Sequence, residues 1–195
     1  NDCFKMERQS VANMIQRGGT ILKTARCDSF RSPEGREIAY KNLKENNIDA
    51  LVVIGGDGTF TGANVFEQEF DLPIIGLPGT IDNDLAGTDF TIGYDTAINT
   101  VVDAVDRIRD TAESHDRLFI VEVMGRDSGL IALRSGIGVG AEAILIPETN
   151  VGLDELVHKL ENGRKDKFSK IIVVAEGDTA GGAYNVGNTL REKFP

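Results

Sequence analysis

The chain has 195 residues, 41% of them hydrophobic and 27% charged, the balance of a globular protein large enough for one sizeable domain or two small ones. Thirty-one acidic residues against 21 basic ones give a net charge of −10, which argues against nucleic acid or a membrane surface as partner. Cys3 and Cys27 are too few and too unpatterned for a disulfide framework or a zinc site. No apolar stretch approaches the ~20 residues needed to cross a bilayer and no signal peptide is visible, so the expected compartment is the cytoplasm. The chain opens at Asn1 without an initiator Met, and its first residues read as mid-domain sequence.

The first predicted helix runs from Ser10 to Gly18, with Ser10 as N-cap, Val11, Met14 and Ile15 as the inner face and Gly18 as the stop. A basic stretch follows: Arg17, Lys23, Arg26, Arg31 and Arg36 stand against only Asp28 and Glu34, which suits either an anion site or a solvated loop. Ser32-Pro33-Glu34 opens the next helix, with Pro at its first position, and Asn46-Asn47 ends it. Asp49–Ile54 reads as a strand apolar on both faces, as in the middle of a parallel sheet. It runs into Gly55-Gly56-Asp57-Gly58-Thr59 and then a helix over Thr61–Glu69.

Pro73–Leu77 is the next strand and delivers Pro78-Gly79-Thr80-Ile81-Asp82-Asn83-Asp84. Residues 96–112 form a long helix on the spacing of Ile98, Val101, Val102, Val105 and Ile108. A polar turn at Ser114–Arg117 carries a solvated His115. Leu118–Val123 is a strand ending in Met124-Gly125-Arg126, and a helix over 128–137 follows it. The Gly136-Ile137-Gly138-Val139-Gly140 run has the spacing of a dinucleotide fingerprint but precedes its strand, Ala143–Ile146, and is discounted. Leu153, Leu156, Val157 and Leu160 mark an amphipathic helix, and Ile171–Ala175 is the last strand, ending in Glu176. Five strand-like runs alternating with helices are the sequence form of an open parallel sheet covered on both faces, an α/β fold.

Such folds bind ligands beyond the carboxyl ends of their strands, where Gly55–Thr59, Pro78–Asp84, Met124–Arg126 and Glu176 all fall. Three glycines around Asp57, between a strand and a helix, suit a backbone that approaches phosphate closely, with helix N–H groups facing the anion. Asp57 is the candidate Mg²⁺ ligand, since Mg²⁺ favours oxygen and accompanies polyphosphates. The loop is not a P-loop, because no Lys-Ser or Lys-Thr follows at the required spacing. Asp82 and Asp84, two apart, put both carboxylates on one side of an extended segment, with the Thr80 hydroxyl on that side too. Taken alone, the stretch is most simply an Asx-rich turn; its neighbours favour phosphoryl transfer. That chemistry needs a cradled anion, neutralised charge and an acceptor hydroxyl beside a base. Arg26 or Arg31 is a candidate clamp and Asp82 the candidate base, ionised without tuning if exposed, with a pKa near 3.9.

Asp49–Thr59, Pro78–Gly93 and Val121–Arg126 together resemble the 6-phosphofructokinase family, in its ATP-dependent bacterial form, and the likeness runs from about Ser10 to Glu176. The resemblance implies doubly wound parallel sheets in two similar lobes with the active site between them, residues 1–93 serving the nucleotide and 94–195 the sugar phosphate. It implies ATP with Mg²⁺ as donor, fructose 6-phosphate as acceptor in glycolysis, a homotetramer and allosteric control. Asp82 would take the proton from the sugar 1-hydroxyl, with Thr80, Asp84 and Arg126 as catalytic partners and Asp57 as metal ligand. Arg26, Cys27, Arg31, Gly56, Asp57, Gly58 and Thr59 would bind the nucleotide. Thr80, Asp82, Met124, Gly125, Arg126 and Glu176 would bind the sugar phosphate, and Arg117 would reach that of a neighbouring subunit. Arg109, Gly140 and Glu142 match effector positions.

The resemblance also ties donor choice to Gly58 and Gly79, where diphosphate-dependent members typically carry Asp and Lys. Family members open with a further strand and glycine-rich loop and continue past Pro195 with further sugar-phosphate ligands. The chain is therefore expected to be an internal fragment, inactive alone. A silent regulatory paralogue would be expected to lose Asp82 or Asp57, and a NAD- or lipid-kinase relative to lack Thr80–Asp84 with Met124–Arg126.

Overall fold

A computed structural model describes residues 3–115, 117–149, 151–162 and 170–193 of the chain. They fall into two compact units, Asn1–Val53 with Gly58–Gly76 and Ile54–Asp57 with Leu77–Pro195.

In the first unit, α1 (Pro33–Glu45) begins as its sequence dictates: the Ser32 hydroxyl accepts the Gly35 N–H at 3.1 Å and Pro33 occupies the first turn. Its far end runs into Asn46 and a left-handed Asn47. Phe30, Tyr40, Phe66 and Phe70 pack ring on ring, Tyr40 stacked on Phe70 at 4.5 Å and Phe30 tilted on Phe66 at 5.3 Å. Arg36 is not part of a solvated basic loop. It lies buried in α1, where Nε and one terminal nitrogen meet the two Glu69 oxygens at 2.6 Å each, and the other nitrogen donates to the carbonyls of Phe30 and Arg31. This fork fixes a 3-10 turn over Asp28–Arg31, the turn that follows Cys27.

The predicted helix from Ser10 to Gly18 does not form. Only a 3-10 turn, Arg8–Val11, is present, Asn13 is left-handed, and Ile15 is fully exposed. A nine-residue helix is below the ~12–15 residues that persist without packing, and here Val11 and Ile15 stay exposed with Met14 only half-buried.

β1 (Leu51–Gly55) and β2 (Ile74–Pro78) form a two-stranded sheet joined by α2 (Asp57–Phe70), which starts directly on Asp57 rather than at Thr61. The expectation of strands buried on both faces fails for this pair. Val52, Ile54 and Ile75 are 65%, 55% and 64% exposed. Burial alternates along β1, so only every second side chain finds a packing partner among the described residues.

In the second unit, β3 (Leu118–Val123), β5 (Lys170–Ala175) and β4 (Ala143–Leu145) lie parallel in that spatial order, Leu118 opposite Lys170 and Ala143 opposite Ile172. β5 is central and shows the two-sided burial of a parallel core strand. Ile171, Val173 and Ala175 pack with Tyr94 and Val105 of α3 (Tyr94–His115) and Ile131 of α4 (Leu130–Gly138). Ile172 and Val174 face the other way, onto Leu156 of α5 (Leu153–Asn162) and Val186 and Leu190 of α6 (Gly182–Lys193). The sheet is thus doubly wound, and the chain is α/β with parallel strands in two sheets. Of these helices, α6 lies beyond the last element expected from the sequence. His115 ends α3, but its side chain and all of Asp116 lie outside the described residues. No described helix is long and apolar enough to cross a membrane.

Candidate active site

The loops beyond β1, β2, β3 and β5 supply the polar groups, and those from Gly55 to Asp57 and from Pro78 onward belong to the second unit. Gly56 is a close-approach position: a Cβ there would stand 3.3 Å from Thr80 Cβ, so the β1 and β2 loops touch. Thr80 Oγ1 accepts the N–H of Asp82 at 3.3 Å, and Arg126 Nε stands 3.8 Å from Asp82 Oδ2. The structure therefore brings Gly56, Thr80, Asp82 and Arg126 together, with Asp57 the next residue after Gly56.

Asp82 is not the exposed carboxylate that needs no tuning. Only 9% of it is exposed. Burial pushes its pKa above the ordinary carboxylate value and the neighbouring Asp84 charge adds to this, while Arg126 and a Thr80 hydrogen bond pull the other way. Nor do Asp82 and Asp84 share one face of an extended segment. Asn83 between them is left-handed at φ +53°, and Asp84 is exposed where Asp82 is buried.

Arg126 sits on a strained backbone, φ +54° after Gly125 at +145°. Two carboxylates hold that loop. Glu176 Oε1 accepts the N–H groups of Gly125 at 3.0 Å and Arg126 at 2.7 Å, and Glu148 Oε1 accepts that of Gly129 at 2.8 Å. A Cβ on Gly125 would strike the Ser128 carbonyl, one on Gly177 the Arg126 carbonyl, and one on Gly129 the Glu148 carboxylate. Met124, just before this turn, is 62% exposed. Neither Glu148 nor Asn83 was singled out from sequence. Glu148 follows β4 with no motif around it, whereas Asn83 had a usable signal, because Asn is the non-glycine residue that best tolerates the left-handed region.

Of the remaining candidates, Arg26, Cys27, Arg31, Gly58 and Thr59 belong to the first unit. Arg31 pairs loosely with Asp28 at 3.8 Å, both exposed, and a Ser29 hydrogen bond holds the Cys27 thiol below its ordinary pKa. Arg117 is exposed just ahead of β3, at the end of the strand opposite Met124–Arg126. Arg109 donates to the Val139 carbonyl, next to left-handed Gly140, and Glu142 Oε2 accepts the Ile171 N–H. These three gather at the amino ends of β4 and β5, away from Glu176.

Comparison with known proteins agrees with this geometry. The family model described as "Phosphofructokinase" matches residues 1–194. The chain is 59% identical over 192 residues to "ATP-dependent 6-phosphofructokinase 2" of Bacteroides thetaiotaomicron, covering 98% of this chain and 59% of that protein. It is 52% identical over 194 residues to the "ATP-dependent 6-phosphofructokinase" of Thermotoga neapolitana, covering 99% and 60%. The solved phosphofructokinase of Saccharomyces cerevisiae superposes at a TM-score of 0.87 with 41% identity, over 96% of this chain and 29% of that one. A pyrophosphate-dependent phosphofructokinase from Marinobacter aquaeolei, at TM-score 0.76 and 23% identity over 89% of this chain and 47% of that one, shares the fold. This chain thus spans about 59% of the length of the first of these relatives, and on the match of residues 1–194 it belongs to the phosphofructokinase family.

Proposed function

We propose that the protein is an ATP-dependent 6-phosphofructokinase, moving the γ-phosphoryl group of ATP to the 1-hydroxyl of fructose 6-phosphate, in the cytoplasm as a step of glycolysis. The observation that carries this reading is Asp82, buried beside Thr80 and Arg126 where the β1 and β2 loops touch. In this reading Asp82 accepts the hydroxyl proton as the sugar oxygen bonds to the γ-phosphorus and the bond to the β-phosphate oxygen breaks, releasing ADP. A base with a raised pKa gains proton-transfer driving force. Thr80 and Arg126, both beside Asp82, would supply donors to the charge of the transferring group.

Among the described residues no three carboxylate, His or Cys groups form a metal cage. That fits Mg²⁺, which one or two carboxylates and phosphate oxygens hold between them; Asp57, exposed at the first residue of α2, would hold it. Bound there, the ion would offset phosphate charge. Residues up to about Gly93 would serve the nucleotide, with Arg26, Cys27, Arg31, Gly56, Gly58 and Thr59 as ligands. The remainder would serve the sugar phosphate through Met124, Gly125, Arg126 and Glu176. Arg109, Gly140 and Glu142 would form an effector site.

The test is a coupled assay on the enzyme that contains this chain, with fructose 6-phosphate as acceptor and ATP or diphosphate as donor at saturation. Turnover with ATP and essentially none with diphosphate is expected. Comparable rates with diphosphate would overturn the donor assignment.

Arg117 stands a β3 length from Met124–Arg126, about 20 Å at the usual rise for six residues; the family resemblance would have it serve the site of another subunit in a homotetramer. Arg117→Ser is then expected to raise the KM for fructose 6-phosphate with that for ATP little changed. An enzyme that is active and strictly monomeric sinks this assignment.

A further inference from the structure

We propose that Asn83 is a positioning residue for phosphoryl transfer: its left-handed backbone directs the buried Asp82 and the exposed Asp84 to different surroundings, and its carboxamide locks the loop that presents them. The inference deepens the function proposed above and rests on it.

Three observations converge on this residue. Asn83 adopts φ +53°, and its neighbours differ sharply in burial, Asp82 at 9% exposure and Asp84 exposed. An extended residue at 83 would place side chains 82 and 84 on one face; a left-handed one turns the chain between them. Both ends of the carboxamide are also engaged. Oδ1 accepts the N–H of Thr91 at 2.7 Å and Nδ2 donates to the carbonyl of Asp89 at 3.3 Å, so residues 83–91 close on themselves. Finally, the returning segment runs back alongside the Thr80 loop. Among the described residues the buried Thr91 hydroxyl has no hydrogen-bond partner. Beyond it the Ile92 N–H donates to the Pro78 carbonyl at 2.7 Å, and Gly93, left-handed at φ +104°, lies against Thr80 and Ile81. Asn83 therefore ties the segment carrying Asp82 to the segment that flanks Thr80.

The two contributions separate by substitution. Asn83→Gly loses both carboxamide bonds but keeps a backbone that adopts positive φ without steric cost. Asn83→Val loses the same bonds and resists positive φ strongly, being β-branched. With the enzyme that contains this chain, kcat is expected to fall by about 10-fold or less for Gly and by ~10²-fold or more for Val. The KM values for both substrates should stay within about threefold, because the groups that bind them are intact. A role in stability alone predicts losses that follow the melting temperatures of the two variants and disappear in assays run well below both. If Asn83→Val does not fold, Asn83→Ala takes its place in the comparison, since it also loses the bonds and still disfavours left-handed backbone. Equal kcat in the Gly and Val (or Ala) variants overturns the positioning role while leaving the reaction assignment standing. A wild-type enzyme that phosphorylates a different alcohol overturns the assignment alone, and the same ratio is then read on that alcohol. A wild-type enzyme that transfers phosphoryl to no alcohol overturns both.

Discussion

Asp82→Asn is expected to abolish most turnover while making the protein more stable at neutral pH. The loss follows from the proposed role: without a carboxylate to receive the hydroxyl proton, kcat should fall ~10²–10⁴-fold, with the sugar still bound. The gain follows from the electrostatics. Burial and the Asp84 charge raise the folded-state pKa of Asp82 above its unfolded value, so above that raised pKa the ionised group costs folding free energy. As pH falls through the folded pKa toward the ordinary value of about 3.9, the folded state takes up the proton first and the cost disappears. The amide never carries the charge. Its stability advantage should therefore be present at pH 7 and vanish in acid, a pattern that thermal melts across that range would show. For wild type, kcat should fall as pH drops through the raised pKa, placing the acid limb above the ordinary carboxylate range. A variant retaining more than about half of wild-type turnover would remove Asp82 from the role of base, and equal melting temperatures at neutral pH would mean that its burial is not costly.

The second large effect concerns the donor. Gly58→Asp should lower kcat/KM for ATP by ~1–3 kcal/mol, roughly 5- to 150-fold, the scale of an ill-matched polar group in a site closed to water. The structure makes this substitution a clean probe. Gly58 is the second residue of α2, and a Cβ there meets nothing within 4 Å. An acidic side chain in the first turn of a helix also suits the helix dipole. Melting temperature should accordingly hold or rise while ATP use falls, because the same carboxylate that favours the helix repels the phosphates that its N-terminus would attract. Gly79→Lys, the partner change suggested by the diphosphate-using branch, is not clean. A Cβ at 79 would lie 2.6 Å from Ile54 Cγ2, so its effect mixes folding with donor choice. Steady-state kinetics with ATP, set beside thermal melts, decides the matter; full ATP efficiency in a well-folded Gly58→Asp enzyme would mean that this position does not select the donor.

Much of the fold was legible because the signals were local. Ser32 before Pro33 gave the start of α1, and the all-apolar Ile171–Ala175 gave a central strand. The misses came where tertiary context decides. Val11, Met14 and Ile15 have helical spacing, yet Val11 and Ile15 stay exposed and Met14 is only half-buried, and Arg36 reads as a loop cation until Glu69, 33 positions on, is seen to receive it. The site shows the same division. The strand-end motifs identified Thr80, Asp82 and Arg126, which the structure brings together. Spacing alone could not reveal the turn at Asn83, because two-residue alternation presumes an extended chain. Nor could it show that Glu176 spends one oxygen on the backbone of Gly125 and Arg126.

The packing around the Arg126 loop also sets where an engineer has room to work. Gly125, Gly129 and Gly177 each abut an atom that a methyl group would strike, and Glu148 and Glu176 are already committed to that loop's N–H groups. Redesign of acceptor preference through backbone changes here would meet a collision at nearly every step. The largely exposed Met124 side chain carries no such constraint. If the proposed function holds, a library meant to alter which sugar phosphate is accepted is better spent on that side chain, with the glycines and both glutamates held fixed.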